Sequence, residues 1–485
     1  MIQLQKALDA VLAFSRETSY YKLLETILSK MMELTSADAG TLYVVENEHL
    51  VFRILKTVSL NIYRGANEKI NLPPVKLDSG NIENISAYAA LNNELVNVQD
   101  VYKDVRFNFT GPKNYDTLTG YKTQSMLVFP LSTTEGDVVG VIQLINAMDG
   151  ENIVSFDEVY DTDILTAIAG MSANALANIL YAKEIDDLFH SFARVLTQAI
   201  DERSAYNANH TNSVARLCGQ FADYLSAKFA KGHNYHFTEN RKSQLVMAAY
   251  MHDIGKIITP LNIMDKMDRL GKQREFLQYK FDIKYVQIEN DFLAGRITQA
   301  EYQQEKDALG QAWELVEAVN KSGFVDDEKI KQIHALAAIT YKDRDGNTTP
   351  IFTEYNLQSL AVRKGTLTDS EREIMQEHVS ITYRLLQNMN FNKAYKDVPR
   401  WASSHHEFLD GSGYPLGLRG DEVTVEMCIL TITDIYDSLT ADDRPYKSAM
   451  PPEKALGILR EMVKEGKLHG QLVELFVNFR ESMGV

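Results

Sequence analysis

Residues 405–415 read His-His-Glu-Phe-Leu-Asp-Gly-Ser-Gly-Tyr-Pro, which places two adjacent imidazoles and two carboxylates just before a glycine-rich turn. Adjacent histidines are costly to bury as ordinary core, because both ring nitrogens of each need hydrogen-bond partners. They are well suited to bind one metal ion, or two neighbouring ions, with the carboxylates close by. The stretch therefore predicts one side of a metal site whose other ligands lie elsewhere in the chain.

Further candidate ligands lie on helices predicted in the C-terminal half. They share an inward position on an apolar helix face, and they are His210, His252, Asp253, His378 and Asp434. A single histidine on such a face is more often a satisfied core residue, and a lone His-Asp pair indicates almost nothing. Here, five of the chain's eleven histidines and two aspartates are all predicted at inward positions of one half. A single shared metal site explains this better than five separate coincidences. Mixed His and Asp ligands without thiolates suit iron, manganese or another borderline divalent ion.

The bulk composition is that of a soluble protein with several domains. Its 485 residues exceed one typical core, so two or three domains are expected. The formal net charge of −16 argues against a nucleic-acid or anionic-membrane binder. Cys218 and Cys428 form no close-spaced pair, which fits a reducing compartment. The N-terminus lacks a signal-peptide pattern, and polar residues interrupt the apolar stretch 163–181, so we expect a cytoplasmic protein without a membrane span.

The N-terminal half combines helical and strand periodicities. Residues 1–35 have a helical pattern, and four strand-like runs follow it: Thr41–Glu46, Leu50–Lys56, Ser125–Leu131 and Asp137–Asn146. The last two runs are joined by Ser-Thr-Thr-Glu-Gly, a connection typical of a hairpin. Together with a final helix, this order predicts an α+β domain with an antiparallel sheet.

Two runs of this half resemble the closing strands of a GAF domain. They are Gly-Tyr-Lys-Thr-Gln-Ser-Met-Leu-Val-Phe-Pro-Leu at 120–131 and Gly-Asp-Val-Val-Gly-Val-Ile-Gln-Leu-Ile-Asn at 136–146. Phe156-Asp157 falls where such domains begin their last helix. The resemblance implies that residues 1–180 form a GAF sensory domain with an N-terminal helix. It implies a small-molecule ligand for that domain and leaves its identity open.

A long helix is predicted over residues 157–200, which connect the two halves. Its apolar spacing is compatible with two interpretations. One is a coiled-coil seam, and hence a homodimer; the other is a domain-terminal helix followed by a separate bundle helix. Beyond it the signals are helical throughout. Residues 264–364 are rich in Lys, Glu, Gln and Asp, with breaks at Gly295, 320–323 and 342–350, and they predict a helical insertion.

The segment His-Asp-Ile-Gly-Lys at 252–256 and the stretch 405–415 together resemble the HD-GYP family. The resemblance implies that residues 190–485 form an all-α phosphodiesterase domain interrupted by the insertion. Family members are bacterial enzymes that hydrolyse cyclic di-GMP at a bi- or trinuclear centre of iron or manganese. The expected product is linear pGpG, with further degradation to GMP as an extension.

Carried over residue by residue, the resemblance implies roles for most polar residues of the site. The implied metal ligands are His210, His252, Asp253, His378, His405, His406 and Asp434. Asp253 would bridge two metals and act in catalysis with Lys256. The implied substrate contacts are Lys256, Gly413, Tyr414, Arg444 and Lys447. Three carboxylates would orient the ligands from behind: Glu407, Asp410 and Asp437.

Two departures from the family pattern narrow this expectation. Members with three metals carry a glutamate one helical turn before the first histidine, where this chain has Tyr206, and Glu202 is a poor substitute. We therefore expect two divalent ions, iron or manganese. The segment 439–444 is one residue longer than is common, and together with the insertion it leaves the substrate open. The alternatives to cyclic di-GMP hydrolysis are hydrolysis of 3′,3′-cyclic GMP-AMP, or a catalytically inactive cyclic-dinucleotide receptor.

Overall fold

The computed structural model describes residues 2–65, 70, 72–158, 161–203, 209–441 and 449–484, without the side chains of 2–4 and 158. The chain divides into two compact units, Met1–Leu188 and Phe189–Val485. The division falls between the predicted boundaries at residues 180 and 190. Helix α5 (Thr162–Asp201) begins in the first unit and ends in the second, as the predicted connecting helix does.

The first unit is an antiparallel sheet with helices, which confirms the predicted α+β class. Its other helices are α1 (Ile2–Arg16), α2 (Tyr20–Thr35), α3 (Ile85–Asn92) and α4 (Thr110–Thr119). Its strands are β1 (Ala37–Glu46), β2 (His49–Thr57), β3 (Ile62–Arg64), β4 (Val75–Lys76), β5 (Val96–Val98), β6 (Met126–Ser132), β7 (Val138–Asp149) and β8 (Asn152–Val154). The strand order is β3-β2-β1-β7-β6-β5, with β4 paired to β2 and β8 to β7.

Alternation along the central strand β1 gives the sheet two apolar faces. Leu42 and Val44 point into a core that includes buried residues of α2 and α5. Tyr43 points into a second core on the other face, with residues of α3. By length and composition α5 could also cross a membrane, and 39% of its apolar window is buried. Ile168 and Leu176 of that helix are buried in the first core.

The described elements of the second unit are helical, apart from one short hairpin of β9 (Thr340–Lys342) and β10 (Thr348–Pro350). The helices before the hairpin are α6 (His210–Lys228), α7 (Glu239–Met251), α8 (Leu261–Met264), α9 (Gln273–Leu293), α10 (Gln299–Asn320) and α11 (Asp327–Ala335). Those after it are α12 (Glu354–Leu360), α13 (Asp369–Gln387), α14 (Val398–Ala402), α15 (Val425–Thr440), α16 (Pro452–Lys464) and α17 (Gly470–Ser482).

Two separate hydrophobic cores lie within the second unit. The larger one gathers buried residues of α6, α7, α14, α15, α16 and α17. The smaller one belongs to the predicted insertion, and Phe281 of α9, Val316 of α10 and Phe352 are among its members. The predicted capping box at the start of α13 is present, because Thr368 and Glu371 bind each other's backbone N–H groups. The helices thus have local start signals as well as packed faces.

Candidate metal centre

His252 and Asp253, the first two ligands of this segment, are positioned by a close approach between their backbone and that of α13. Helix α7 ends at Met251, and His252 and Asp253 lead into a short 3-10 helix at residues 254–258. A Cβ on Gly255 would lie only 1.9 Å from the carbonyl oxygen of His378 in α13, so only glycine fits there. Its N–H donates to Thr382 Oγ1 at 3.0 Å, and that hydroxyl donates to His252 O at 3.0 Å. This contact holds His252 and Asp253 against His378.

Asp253 lies between two sets of histidines and turns one carboxylate oxygen toward each. Its Oδ2 is 3.3 Å from His252 Nε2 and 4.0 Å from His210 Nε2. Its Oδ1 is 3.3 Å from His378 Nε2 and 3.8 Å from His405 Nε2. A carboxylate in this position can bind a cation on either side.

The remaining predicted ligands complete both sets. Asp434 Oδ1 lies 3.1 Å from His210 Nε2. Within the described residues, three groups have possible ligand atoms within 4.8 Å of one another: His210, His252 and Asp434; His252, Asp253 and His405; His378, His405 and His406. His406 is half-buried and the others are buried. The structure therefore brings together all seven predicted ligand positions.

Hydrogen bonds on the outer side of the rings fix which nitrogen faces the centre. Three rings bind the carbonyl oxygen three residues earlier through Nδ1: His252 with Ala249 O at 2.7 Å, His378 with Met375 O at 2.5 Å and His405 with Ala402 O at 2.8 Å. His210 Nδ1 binds Asp437 Oδ2 at 2.7 Å. Because a carbonyl oxygen only accepts, each Nδ1 of the first three carries the hydrogen and each Nε2 presents a lone pair inward.

These inward groups fit the metal ions that the sequence implies. His252 Nε2 and Asp253 Oδ1 are buried without a hydrogen-bond partner. His378 Nε2 and His405 Nε2 lie 3.4 Å apart, and both present lone pairs. Buried acceptors that face one another are destabilising unless positive charge lies between them. A donor set of imidazole nitrogens and carboxylate oxygens suits borderline divalent cations.

The carboxylates of the centre are held ionised. Burial opposes the charge of Asp253, but Lys256, with Nζ 2.5 Å from Oδ2, and His252 lower the pKa of that carboxyl well below its usual range. Burial likewise opposes the charge of Asp434, and His210 holds the pKa of Asp434 low. Both groups therefore offer negative oxygens at neutral pH.

The histidines divide into two electrostatic types. Burial opposes a charge on His210, but Asp434 and Asp437 raise its pKa to about 10. Burial and the neighbouring His406 lower the pKa of His405 well below its ordinary value, and burial lowers the pKa of His406 to about 4. Positive charge is favoured at His210, as a proton or as a bound cation. His405 and His406 stay neutral, which is the form that binds metals.

The loop after the histidine pair borders the centre. Tyr414 N–H donates to His406 O at 3.1 Å, and the two rings have centroids 4.8 Å apart. A Cβ on Gly413 would lie 2.5 Å from the same carbonyl oxygen, so glycine is required for this approach. The following peptide, Tyr414–Pro415, is cis. Gly413 and Tyr414 therefore lie where a substrate contact is expected.

Two of the carboxylates expected behind the ligands serve the loop instead. Glu407 accepts from the N–H groups of Leu416 and Leu418 at 2.7 and 2.9 Å. Asp410 is exposed and accepts from the N–H and hydroxyl of Ser412 at 2.9 and 2.7 Å. The sequence interpretation of these two was wrong, because proximity in sequence to His405 and His406 does not fix the direction of a side chain. Asp437 does lie behind His210, as expected.

Three predicted features fall outside the described residues. They are the substrate contacts Arg444 and Lys447 and the Tyr206 departure from three-metal relatives.

Asp201, at the end of α5, is a site residue that the sequence interpretation missed. It is buried, its Oδ2 has no hydrogen-bond partner, and Thr211 donates to its Oδ1 at 3.2 Å. Burial, together with the charge of Asp253, raises its pKa to about 6 against the opposing effect of the hydrogen bond from Thr211. Its only sequence signal is an acidic residue at the end of the predicted connecting helix, next to Ile200.

Each half of the chain matches a known domain family. The GAF domain family matches residues 21–176. The HD domain family matches residues 207–318 and 355–472, which together contain every predicted metal ligand.

Three characterised relatives match segments of the chain. One is the 3′3′-cGAMP-specific phosphodiesterase 3 of Vibrio cholerae, 41% identical over 99 residues, or 20% of this chain and 21% of that protein. The 3′3′-cGAMP-specific phosphodiesterase 1 of the same organism is 36% identical over 115 residues, 24% and 26% of the two chains. The cyclic di-GMP phosphodiesterase of Thermotoga maritima is 33% identical over 125 residues, 26% and 33%. The matches thus span at most a third of each relative's length.

Proposed function

We propose that this chain, in which a GAF domain precedes an HD domain of the HD-GYP type, is a metal-dependent phosphodiesterase acting on cyclic dinucleotides. The observation that carries the proposal is the position of Asp253 between two sets of inward-facing histidines. That arrangement suits two cations acting on one phosphodiester. The names of the three relatives support the substrate class.

The proposed ligands are His210, His252 and Asp434 on one side and His378, His405 and His406 on the other, with Asp253 between them. Bound divalent cations would supply Lewis acidity, which neutralises phosphate charge and makes water more acidic. The chain's own contribution is geometric, because its Nδ1 hydrogen bonds hold each ring with Nε2 pointing inward. The neutral forms of His405 and His406 keep these nitrogens available.

Lys256 is proposed to act in both binding and catalysis. Its ammonium group binds Asp253 Oδ2, and this contact raises the pKa of Lys256 against the opposing effect of burial. It therefore remains a cation beside the centre in a chain of net charge −16. From this position it can attract a phosphate and stabilise the oxygen that leaves phosphorus. Arg444 and Lys447 remain proposed partners in phosphate binding.

The specific substrate is proposed to be cyclic di-GMP, cleaved to linear pGpG and then to GMP. The alternative, 3′,3′-cyclic GMP-AMP, is favoured by the names of two of the three relatives. Tyr414, whose ring lies at the edge of the centre, is a candidate to stack on a base of either substrate.

Regulation by a small molecule bound to the GAF domain, a cytoplasmic location and a homodimer through α5 also remain proposals. Coupling would be tested by comparing the turnover of the full chain with that of residues 190–485. Equal rates would count against it.

The substrate experiment uses the full chain loaded with iron or manganese under reducing conditions. Cyclic di-GMP, 3′,3′-cyclic GMP-AMP and bis-p-nitrophenyl phosphate are assayed in parallel. We expect cleavage of a cyclic dinucleotide to a linear product, and none after chelation. Binding of a cyclic dinucleotide without cleavage by the loaded protein would favour the inactive receptor instead.

A further inference from the structure

Helix α9 of the insertion has two apolar faces on opposite sides. One face carries Leu277, Phe281 and Ile288, which are buried in the core of the insertion. This face packs against α10 and β9. A surface helix normally buries one apolar face in this way and presents polar residues to water on its opposite face.

The opposite face of α9 is apolar and exposed. It consists of residues spaced alternately by three and four, namely Phe276, Tyr279, Ile283, Val286, Asn290 and Leu293, which we call the outer seam. Its five apolar side chains are 45% to 75% exposed. Together they present on the order of several hundred Å² of contiguous apolar surface, which on a soluble protein marks an interaction site.

We propose that the outer seam binds the outer seam of a second copy of this chain as a parallel two-stranded coiled coil. Spacings of three and four place Phe276, Ile283 and Asn290 at the a positions of a heptad repeat and Tyr279, Val286 and Leu293 at the d positions. The pattern fits another helix with the same repeat. An asparagine at an a position pairs with its own copy across a two-stranded interface and fixes the register.

Charges beside the seam select the parallel orientation. One flank carries Glu275, Asp282 and Glu289, and the other carries Lys280, Gln287 and Ala294. In a parallel pair opposite flanks meet, so the acids of one copy face the flank of Lys280 and Gln287, which donate to Ile351 O at 2.9 Å and Lys342 O at 2.6 Å within their own chain. That flank carries no acid to repel them. In an antiparallel pair the three acids would face the same three acids, which costs free energy.

The size of the seam predicts a concentration-dependent dimer. The 21 residues of α9 provide three heptads. Two such seams reach only the lower end of the roughly 1,200–2,000 Å² that stable protein interfaces bury. Association should therefore depend on every a and d residue of the seam, and one charged substitution should abolish it.

Cross-linking of an Asn290→Cys variant tests the proposal in the full chain. Position 290 lies near one end of the seam, so two such cysteines meet only in a parallel, in-register pair. The native thiols of Cys218 and Cys428 are buried and do not compete. The matched control is Gln278→Cys, on the exposed surface of α9 off the seam. We expect the first variant to form a covalent dimer, of twice 54.9 kDa, at least about tenfold faster than the control.

A second substitution shows whether the seam causes the cross-link. Adding Ile283→Glu to the Asn290→Cys variant should reduce its cross-linking to the control rate, whereas adding Gln278→Glu should not. Both substituted side chains are exposed, so metal content should stay unchanged in each.

Three outcomes would overturn the proposal. One is cross-linking at 290 no faster than at 278, even if the protein is dimeric through another surface. Another is cross-linking that persists with Ile283→Glu. The third is faster cross-linking between Tyr279→Cys and Asn290→Cys chains than between two Asn290→Cys chains, because a positions face d positions in an antiparallel pair.

Discussion

Two helical regions of the second unit depart from ordinary burial in opposite directions. The metal centre buries His252 and Asp253, two polar side chains with atoms that lack partners. The insertion exposes apolar side chains such as Ile283 and Leu293 although it has its own packed core. Buried polar acceptors without partners are suited to bind a cation, and exposed apolar surface is suited to bind another protein surface. Each region has a packed core and also presents groups that a binding partner would cover.

Replacement of Asp253 by asparagine should have the largest effect. The substitution keeps the shape of the side chain and removes the charge that both histidine sets share. We expect phosphodiesterase activity to fall more than about 100-fold, because even outer partners of metal ligands contribute 10- to 100-fold. Metal content should fall in parallel, as measured by elemental analysis.

The matched control is Asp410→Asn, in the loop beside the centre. Asp410 binds Ser412 in that loop and is exposed, so metal content should remain that of the unaltered protein. Retained activity in the Asp253 variant would contradict the bridging role.

Gly255→Ala should break the backbone contact that assembles the centre. The new Cβ would lie 1.9 Å from His378 O, and the neighbour is backbone that cannot move cheaply. We expect about 3 kcal/mol or more of lost unfolding free energy, measured by chemical denaturation. Gly310→Ala in α10 is the control, because nothing lies within 4 Å of its added Cβ. That variant should be about 1 kcal/mol more stable, since alanine favours a helix interior.

Asp437→Asn should lower the metal affinity of the centre although it removes no metal ligand. The carboxylate binds His210 Nδ1 at 2.7 Å and fixes which ring nitrogen faces inward. We expect metal affinity to fall roughly 10- to 100-fold, as measured by competition with a chelator. An unchanged affinity would show that Asp437 does not support this ring.

The smallest effect concerns a contact between α13 and the start of the insertion. Lys266 Nζ lies 2.7 Å from Glu371 Oε2, and Tyr355 OH donates to Oε1 at 2.7 Å. Burial opposes the charge of Glu371, but Lys266 and Tyr355 lower its pKa below 4.5. Its stabilising effect is therefore present above about pH 4.5 and is lost as the pH falls through the lower folded-state pKa.

Glu371→Gln should consequently lower unfolding free energy at pH 7 by roughly 1.5 kcal/mol. The difference from the unaltered protein should shrink as the pH falls through the acid range. Glu373→Gln, exposed on the same helix, should show neither effect. A difference for Glu371→Gln that grows on acidification would contradict the sign.

The sequence predicted the fold where periodicity is long and regular. The runs that became β1, β2, β6 and β7, and the long helix α5, were visible as alternation and helical spacing. The hairpin of β9 and β10 was interpreted as a break, because three-residue strands are too short to show alternation.

The identity of the ligands could be predicted from the sequence, but their geometry could not. Histidines and aspartates at inward positions are visible in a sequence, whereas their distances depend on tertiary contacts such as that of Gly255 with His378. Asp201 was missed because its importance comes only from burial beside the centre. Glu407 was misplaced because a turn can direct a side chain away from its neighbours.

The central claim is that Asp253 joins two cation sites, and anomalous X-ray diffraction from manganese-loaded crystals tests it most directly. We predict two anomalous peaks on opposite sides of Asp253. One should lie against His210, His252 and Asp434, and the other against His378, His405 and His406. A single peak, or peaks that leave Asp253 without a metal contact, would contradict the account.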